Sequence, residues 1–322
     1  MINQIETGFP ARPGIIFMGT PDFAVPALKA LVENGHRVLC VITQPDRPRG
    51  RGRKILPSSV KKVATGFGLE VLQPVDISTP EFCRLIRLKS PDLFVVVAFG
   101  QILRKDFLNI PRWGALNIHA SLLPRYRGAA PIHWAILNDE RTTGLTAMRM
   151  DEGLDSGPIL LQEEIPILPH QTAGQLHDHL SEISGDFLLK TLKGLSENCL
   201  DETPQDESSA TYAPKIDRKM SFVDWKQSAR RVSAFIRALD PWPGALARYG
   251  GREIKLFSAR VGDGGCVGGV PGRVVGYSEG TLQVETGKGV VQIGELQIPG
   301  RRRLAAKEFL KGFPLDKDTL LS

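Results

Sequence analysis

The chain has 322 residues, a length that favours two domains over one. Its hydrophobic content of 42% and charged content of 24% are those of a globular protein and exclude an intrinsically disordered one. The longest apolar run, residues 93–99, is far shorter than the roughly 20 residues that cross a bilayer, so no membrane span is predicted.

Cysteine usage and the start of the chain indicate a cytoplasmic protein. The four cysteines are scattered without a CxxC pair, which argues against both a disulfide framework and a zinc site. The first fourteen residues include Glu6 and lack an apolar core, so no secretory signal is visible. We therefore expect a reducing compartment and no bound metal.

The net charge of +6 is unevenly distributed. Residues 215–322 hold 19 Lys and Arg against 11 Asp and Glu, a balance of +8, whereas the first 214 residues hold 22 against 24, a balance of −2. Because each contact with a phosphate gains from counterion release, a basic C-terminal third favours a polyanionic partner. A solvated basic surface is an equally good explanation of the charge taken alone.

The first 200 residues alternate between strand and helix patterns. Apolar or β-branched runs predict strands at 14–18, 38–43, 70–73, 93–98 and 115–119. Helical periodicity predicts helices at 24–32, 58–67, 80–89 and 129–137. Residues 143–150 alternate as an antiparallel or edge strand does, and Thr172 to Gln175 form a capping box that opens a long helix. This order predicts a mostly parallel, Rossmann-like α/β sheet.

The pattern changes after residue 214. A helix is predicted at 228–239, and residues 240–244 end it. Short β-like segments and glycine-rich turns follow, which predict a small all-β barrel. The domain boundary is placed at about 205–220. Trp134, Trp225 and Trp242 are interpreted as packing residues.

The densest polar cluster begins at Asn117 and His119, which lie two residues apart at the end of a predicted strand and so point to one face. Ligands bind at the carboxyl ends of strands in open α/β sheets. An amide donor can stabilise a developing oxyanion, and an imidazole can exchange a proton near neutral pH. The pair therefore favours direct acyl transfer, although the histidine of a strand-end turn can be merely structural.

A carboxylate that orients His119 would strengthen this hypothesis. Asp155 is a candidate in the glycine-containing segment 150–157. Asp151 and Glu152 lie in the same segment, and spacing alone does not choose among the three.

A second cluster places five basic residues in eight positions among Gly and Pro. They are Arg47, Arg49, Arg51, Arg53 and Lys54. The prolines exclude a helix or a central strand, so a flexible cationic loop is predicted. Such a loop suits contact with a phosphate backbone, and a solvated surface loop is the alternative.

Other common site patterns are missing from the sequence. Residues 19–23 follow the first strand but lack the glycines of GxGxxG, and neither a GxSxG elbow nor a P-loop occurs. His177 and His179 are two residues apart on a predicted helix and cannot share one face as a metal pair.

These residues resemble the methionyl-tRNA formyltransferase family over nearly the whole length. The resemblance is carried by segments 19–24, 43–54, 95–98, 117–131, 153–155, 212–215 and 240–244. It implies a Rossmann-like formyltransferase domain at 1–205, a linker at 206–220 and an OB-like, tRNA-binding β-barrel at 221–322. The donor would be 10-formyltetrahydrofolate and the acceptor the methionine amino group of charged initiator tRNA.

The resemblance also implies residue roles. Asn117 and His119 would hold the formyl oxygen while Asp155 orients or polarises His119. The folate would contact the segment Ser121, Leu122, Leu123 and Pro124. The cationic loop would enter the tRNA acceptor stem, with Arg51 at the position of the family's key arginine. Arg301, Arg302 and Arg303 are candidate tRNA contacts that the resemblance does not assign individually. A monomer is expected.

Three rival functions share part of this pattern. A sugar-nucleotide formyltransferase or a formyl-folate hydrolase would have the catalytic signature but would not need the arginine loop. A tRNA-binding protein without catalysis would not need all three polar residues. A nucleotide-dependent oxidoreductase would need the missing glycine fingerprint.

Overall fold

The computed structural model describes residues 8–49, 54–262 and 269–322, so part of the segment examined for a secretory signal lies outside it. The described chain divides into two compact units. The first comprises the part up to Gly128 together with Gly144–Ile165 and His177–Tyr212. The second comprises Ala129–Thr143, Pro166–Leu176 and Ala213–Ser322. Two short segments that precede the predicted boundary at 205–220 thus belong to the second unit, so a single boundary in the sequence does not describe the division.

A seven-stranded sheet forms the centre of the first unit. The strands of this half of the chain are β1 (Ile15–Gly19), β2 (Val38–Ile42), β3 (Arg47–Arg49), β4 (Lys54–Leu56), β5 (Val71–Leu72), β6 (Leu93–Val97), β7 (Ala115–His119), β8 (Thr142–Arg149) and β9 (Ile159–Pro166). The large sheet has the order β5-β2-β1-β6-β7-β8-β9. Pairing is parallel from β5 to β7, and β8 runs antiparallel to β7. The predicted Rossmann-like class is confirmed.

The central strands are apolar because both of their faces are covered. Every residue of β1, β6 and β7 is buried, as expected for strands inside a parallel α/β sheet. The helices of this half are α1 (Val25–Glu33), α2 (Ser59–Gly66), α3 (Pro80–Leu88), α4 (Lys105–Leu108), α5 (Pro131–Leu137) and α6 (Ala173–Ser196). Ser58 and Thr79 cap α2 and α3 by accepting a backbone N–H of the first turn.

The arginine-rich segment is not entirely loop. β3 and β4 pair with each other as a separate antiparallel ribbon, with Arg47 opposite Leu56. Pro48 is tolerated because a two-stranded ribbon leaves one edge of each strand without a ladder partner. The sequence prediction of a loop was wrong for these six residues, and it rightly excluded a helix and a central strand.

The second unit contains an antiparallel sheet. Its later elements are α7 (Ala229–Ala238), β10 (Ala245–Tyr249), β11 (Arg252–Val261), β12 (Val274–Ser278), β13 (Thr281–Glu285), β14 (Val290–Gln297), β15 (Leu304–Ala305) and α8 (Ala306–Gly312). The sheet order is β10-β11-β14-β13-β12, and β15 also pairs with β14. Ile236 of α7 packs with Leu256, Leu282 and Ile293 in one apolar core. The predicted small β domain is confirmed.

Local sequence signals place several elements correctly. The capping box at α6 is present: Thr172 Oγ1 accepts the Gln175 N–H at 3.2 Å, and Gln175 Oε1 accepts the Thr172 N–H at 3.0 Å. β8 is antiparallel as predicted, but β9 lies beyond it at the edge of the sheet.

Trp225 is buried, whereas Trp242 is 59% exposed, so packing was the wrong interpretation for Trp242. No helix of the described ranges is long and apolar enough to span a bilayer.

Candidate active site

The C-terminal half of β7 places two polar side chains on one face of the central sheet. Asn117 and His119 alternate with apolar residues, and both are at least nine-tenths buried. β7 is hydrogen-bonded to β6 on one side and to β8 on the other, and His119 lies opposite Thr146. Among the described residues, the Asn117 side-chain amide has no protein hydrogen-bond partner. A buried amide in this state is available to a bound molecule.

Both nitrogens of the His119 ring lie near oxygen atoms of other residues. Nε2 lies 3.0 Å from the backbone oxygen of Tyr126. A carbonyl oxygen only accepts, so Nε2 carries a hydrogen and donates it. Nδ1 faces the Asp155 carboxylate, whose Oδ2 lies 3.7 Å away.

The three acidic residues of segment 150–157 differ in what they contact. Only 16% of the Asp155 side chain is exposed, and its Oδ2 accepts the backbone N–H of Gly128 at 2.8 Å. Asp151 accepts from Ser156 Oγ and from the Gly153 N–H within its own turn. Glu152 forms an exposed ion pair with Lys105. Of the three carboxylates, the one that faces His119 is that of Asp155.

The turn after His119 is built from side chains on neighbouring strands. Thr146 Oγ1 donates to the Ser121 carbonyl at 2.6 Å and accepts the Leu123 N–H at 3.1 Å. Gln162 Nε2 donates to the Leu123 carbonyl at 2.9 Å. The Ser121 hydroxyl donates to the Arg125 carbonyl at 2.7 Å, so it serves the turn itself.

The four residues predicted to contact folate are unequally accessible. Ser121 and Leu123 are buried, whereas Leu122 and Pro124 are partly exposed. Direct contact with a ligand is therefore easier for the side chains of Leu122 and Pro124 than for those of their two neighbours.

The structure describes only some of the basic residues of the arginine-rich segment. The Arg47 guanidinium is exposed and donates to Gln44 Oε1 at 3.0 Å. The backbones of Arg49 and Lys54 lie in β3 and β4. Arg51 and Arg53 lie outside the described residues, so the contacts predicted for them remain predictions.

The three consecutive arginines of the second unit have different surroundings. Arg301 and Arg302 are exposed. Arg303 donates to Asp240 at 2.7 Å and to Glu295, and its guanidinium lies 4.1 Å from the centre of the Phe257 ring. Arg303 is thus engaged inside its own unit, which its position in an arginine run does not reveal.

Sequence reasoning missed several polar residues that support the site. Gln205 was placed only at the predicted domain boundary, yet it bonds to the backbone on either side of Ser156. Thr146 and Gln162 lie on strands, and a polar side chain in the apolar positions of β8 was the one available signal for Thr146.

Among the described residues, no group of three His, Cys, Asp or Glu side chains could hold a metal ion.

Family models match both parts of the chain. The model described as formyl transferase matches residues 14–192, and the model of the formyl transferase C-terminal domain matches residues 215–314. The chain belongs to the formyl transferase family. This class agrees with the parallel sheet and with the polar cluster at the end of β7.

Curated relatives and solved structures refine the comparison. The chain is 45% identical to methionyl-tRNA formyltransferase of Pelotomaculum thermopropionicum over 95% of this chain and 98% of that one. It is 20% identical to WlaRD, a sugar 3N-formyl transferase, with a TM-score of 0.66 over 91% of this chain and all of that chain. It is 21% identical to HypX from Aquifex aeolicus, solved with tetrahydrofolic acid, with a TM-score of 0.63 over 97% of this chain; it spans about half, 51%, of HypX. The two structural likenesses show the shared fold.

Proposed function

We propose that this protein transfers the formyl group of 10-formyltetrahydrofolate to the amino group of methionine on initiator Met-tRNA. The observation that carries the proposal is the buried His119 with the partly exposed Asp155 carboxylate 3.7 Å from its Nδ1, on the same sheet edge as the buried Asn117. The 45% identity to a methionyl-tRNA formyltransferase along almost the whole chain supports the choice of acceptor.

Asn117 and His119 stabilise charge on the formyl oxygen. When the amine attacks the formyl carbon, a new C–N bond forms and electron density moves to the oxygen. The Asn117 NH2 group donates to that oxygen, as amide donors do in oxyanion holes. A protonated Nδ1 of His119 is the second donor. Since the site is buried, these donors act with little competition from water.

Asp155 balances the charge on His119. Its carboxylate lies 3.7 Å from Nδ1 and can stabilise a positive imidazole ring. The attacking amine loses one proton as the bond to the donor nitrogen breaks, and that nitrogen gains one. The His119 imidazole and the Asp155 carboxylate, 3.7 Å apart, are the groups that can relay this proton as general acid and base.

The donor 10-formyltetrahydrofolate supplies an activated one-carbon acyl group. The chemistry of the side chains fits it, because an amide donor and an imidazole in a buried site suit an acyl oxygen. Segment Ser121–Pro124 is the proposed folate contact, with Leu122 and Pro124 as its partly exposed members. No metal is required for this transfer.

The two parts of the chain have different proposed tasks. Residues 1–205 carry catalysis, 206–220 form the linker, and 221–322 bind tRNA through their balance of +6, from 16 Lys and Arg against 10 Asp and Glu. Arg47, Arg49, Arg51, Arg53 and Lys54 are the proposed acceptor-stem contacts of the N-terminal part. We propose a monomer that works in the cytoplasm.

One assay tests the function. The purified protein is mixed with 10-formyltetrahydrofolate and either initiator or elongator Met-tRNA, and formylmethionine is measured after hydrolysis of the ester. We expect kcat/KM to favour the initiator by at least about tenfold, which corresponds to about 1.4 kcal/mol. Absence of transfer to both tRNAs would contradict the formyltransferase proposal, and equal transfer would contradict the choice of acceptor.

A further inference from the structure

The Asp155 carboxylate reaches His119 from a turn with an unusual backbone. Asp155 has φ of +51°, in the left-handed region that non-glycine residues seldom occupy. Gly157, two residues later, passes so close to β8 that an added Cβ would lie 2.0 Å from the Arg149 carbonyl oxygen. Such a turn needs support from its surroundings to keep one geometry.

Gln205 provides that support with its whole carboxamide. Its Nε2 donates both hydrogens, to the Asp155 carbonyl at 2.8 Å and to the Gly157 carbonyl at 2.7 Å. Its Oε1 accepts from Arg127 Nε at 3.0 Å and from Arg127 Nη2 at 2.8 Å. Every polar atom of the side chain is therefore engaged.

The position of Gln205 is itself determined by the backbone. Thr203 and Ile159 exchange two backbone hydrogen bonds of 2.8 Å, which pair the segment before Gln205 with the start of β9. The side chain thus leaves a backbone that is anchored next to the turn it supports.

Arg127 is the second half of the support. It is 2% exposed, and its Nη1 and Nη2 donate to Glu207 at 2.9 and 2.8 Å. This contact raises the pKa of Arg127 and lowers that of Glu207, because each charge favours the other. The guanidinium therefore stays charged and in place for Gln205 at neutral pH.

The residues on either side of Arg127 contact the catalytic pair. The Tyr126 carbonyl accepts from His119 Nε2 at 3.0 Å. The Gly128 N–H donates to Asp155 Oδ2 at 2.8 Å. One side chain, that of Gln205, hence connects the turn that carries Asp155 to the segment that fixes the His119 ring.

We propose that Gln205 is a positioning residue that keeps the Asp155 carboxylate aimed at His119 for formyl transfer. The inference rests on the proposed function. Gln205 touches neither the imidazole nor the carboxylate, so it acts through the backbone of the turn and through Arg127.

The test compares three variants of the full-length protein. Gln205→Ala removes both the bonds to the turn of Asp155 and the bonds from Arg127. Gln205→Glu keeps an acceptor for Arg127 but cannot donate to the two carbonyls. Asp206→Asn changes the exposed neighbour of Gln205, whose carboxylate accepts from Ser208 and Ser209, and leaves the bonds of Gln205 and Arg127 intact, so it is the matched control.

We expect both Gln205 variants to lower kcat for formyl transfer by about 10- to 100-fold, since displacement of a reacting group by an ångström can cost about 100-fold. KM for each substrate should stay within about threefold, and Asp206→Asn should change kcat by less than about threefold. If Gln205→Ala is insoluble, Gln205→Glu alone carries the test.

A double-mutant cycle separates positioning from general support. In an Asp155→Asn background, where the carboxylate is already absent, the Gln205 substitution should cost less than about threefold in kcat. An equal loss in both backgrounds, or an unchanged kcat in the single variants, would overturn the inference.

A measurement that does not depend on turnover tests the role of Gln205 separately from the proposed function. Hydrogen exchange at the Gly128 amide, which donates to Asp155 Oδ2, should be faster in both Gln205 variants than in the wild type and in Asp206→Asn. If the wild type fails to transfer formyl, the proposed function falls; if the wild type is active but exchange is unchanged, the inference about Gln205 falls.

Discussion

At the scale of single residues, the site consists of polar groups in a strand that is otherwise apolar. All five residues of β7 are buried, and two of them are Asn117 and His119. The His119 ring bonds to the Tyr126 carbonyl and lies near Asp155, whereas no hydrogen bond is found for the Asn117 amide within the described structure. An amide donor in this position suits the oxygen of a bound acyl group.

The first prediction at this scale concerns His119. We expect His119→Ala to lower kcat by at least roughly 100-fold, because the variant loses a donor and the proton-exchanging group together. Dissociation constants for folate and tRNA, measured by titration, should stay within about threefold. His179→Ala, a histidine substitution on α6, is the control and should keep wild-type turnover. Largely intact turnover in His119→Ala would refute the assigned role.

At the scale of elements, the β3–β4 ribbon separates the basic residues from the large sheet. The ribbon pairs only with itself among the described strands, so its residues take no part in the seven-stranded ladder. Lys61 of α2 forms an ion pair of 2.7 Å with Asp46 just before β3. That pair and the bond from Arg47 to Gln44 anchor the base of the ribbon. A basic segment attached in this way can meet a nucleic acid without disturbing the sheet.

The prediction for the arginine-rich segment is that Arg51→Ala impairs use of the tRNA substrate. Loss of a charged hydrogen bond, about 1.5–3 kcal/mol, should lower kcat/KM for initiator Met-tRNA by roughly 10- to 100-fold. Affinity for the folate donor, measured without tRNA, should not change. Arg84→Ala, an exposed arginine on α3, serves as the control for loss of one positive charge. Unchanged kinetics with Arg51→Ala would remove the ribbon segment from tRNA recognition.

At the scale of the whole molecule, the charge is divided between the two parts of the chain. Residues 215–322 have a balance of +8 while the rest has −2. The structure further separates these basic residues by surroundings, as Arg302 is exposed and Arg303 is bonded to Asp240 and Glu295. Only the exposed class can release counterions when a polyanion binds.

The prediction for the whole molecule is a steep dependence of tRNA affinity on salt. If about four phosphates are neutralised, affinity should fall roughly 100-fold between about 50 and about 200 mM salt. Arg302→Ala should flatten the slope without changing Tm. Arg303→Ala should instead destabilise the fold by about 3 kcal/mol, because it leaves the buried Asp240 carboxylate poorly paired. A slope near zero would count against the C-terminal part as an electrostatic platform.

The elements were predictable where a local pattern decides the structure. The uninterrupted apolar run of β6 and the capping box of α6 each specify their element within a few residues. The ribbon β3–β4 was not predictable, since its strands of three residues are too short to show an alternating pattern and one of them contains Pro48. Trp242 was misjudged for a related reason: whether a large aromatic side chain is covered depends on distant parts of the chain.

The sequence by itself determined the alternation of strands and helices that builds the parallel sheet, the face shared by Asn117 and His119, and the resemblance to folate-dependent formyltransferases. These follow from local periodicity and from motifs that are contiguous in the chain. Only the tertiary structure distinguished the surroundings of Asp155 from those of Asp151 and Glu152, and only it brought Gln205 to the turn of Asp155. Hydrogen bonds between residues 50 or more positions apart are made by folding, so no pattern along the chain reports them.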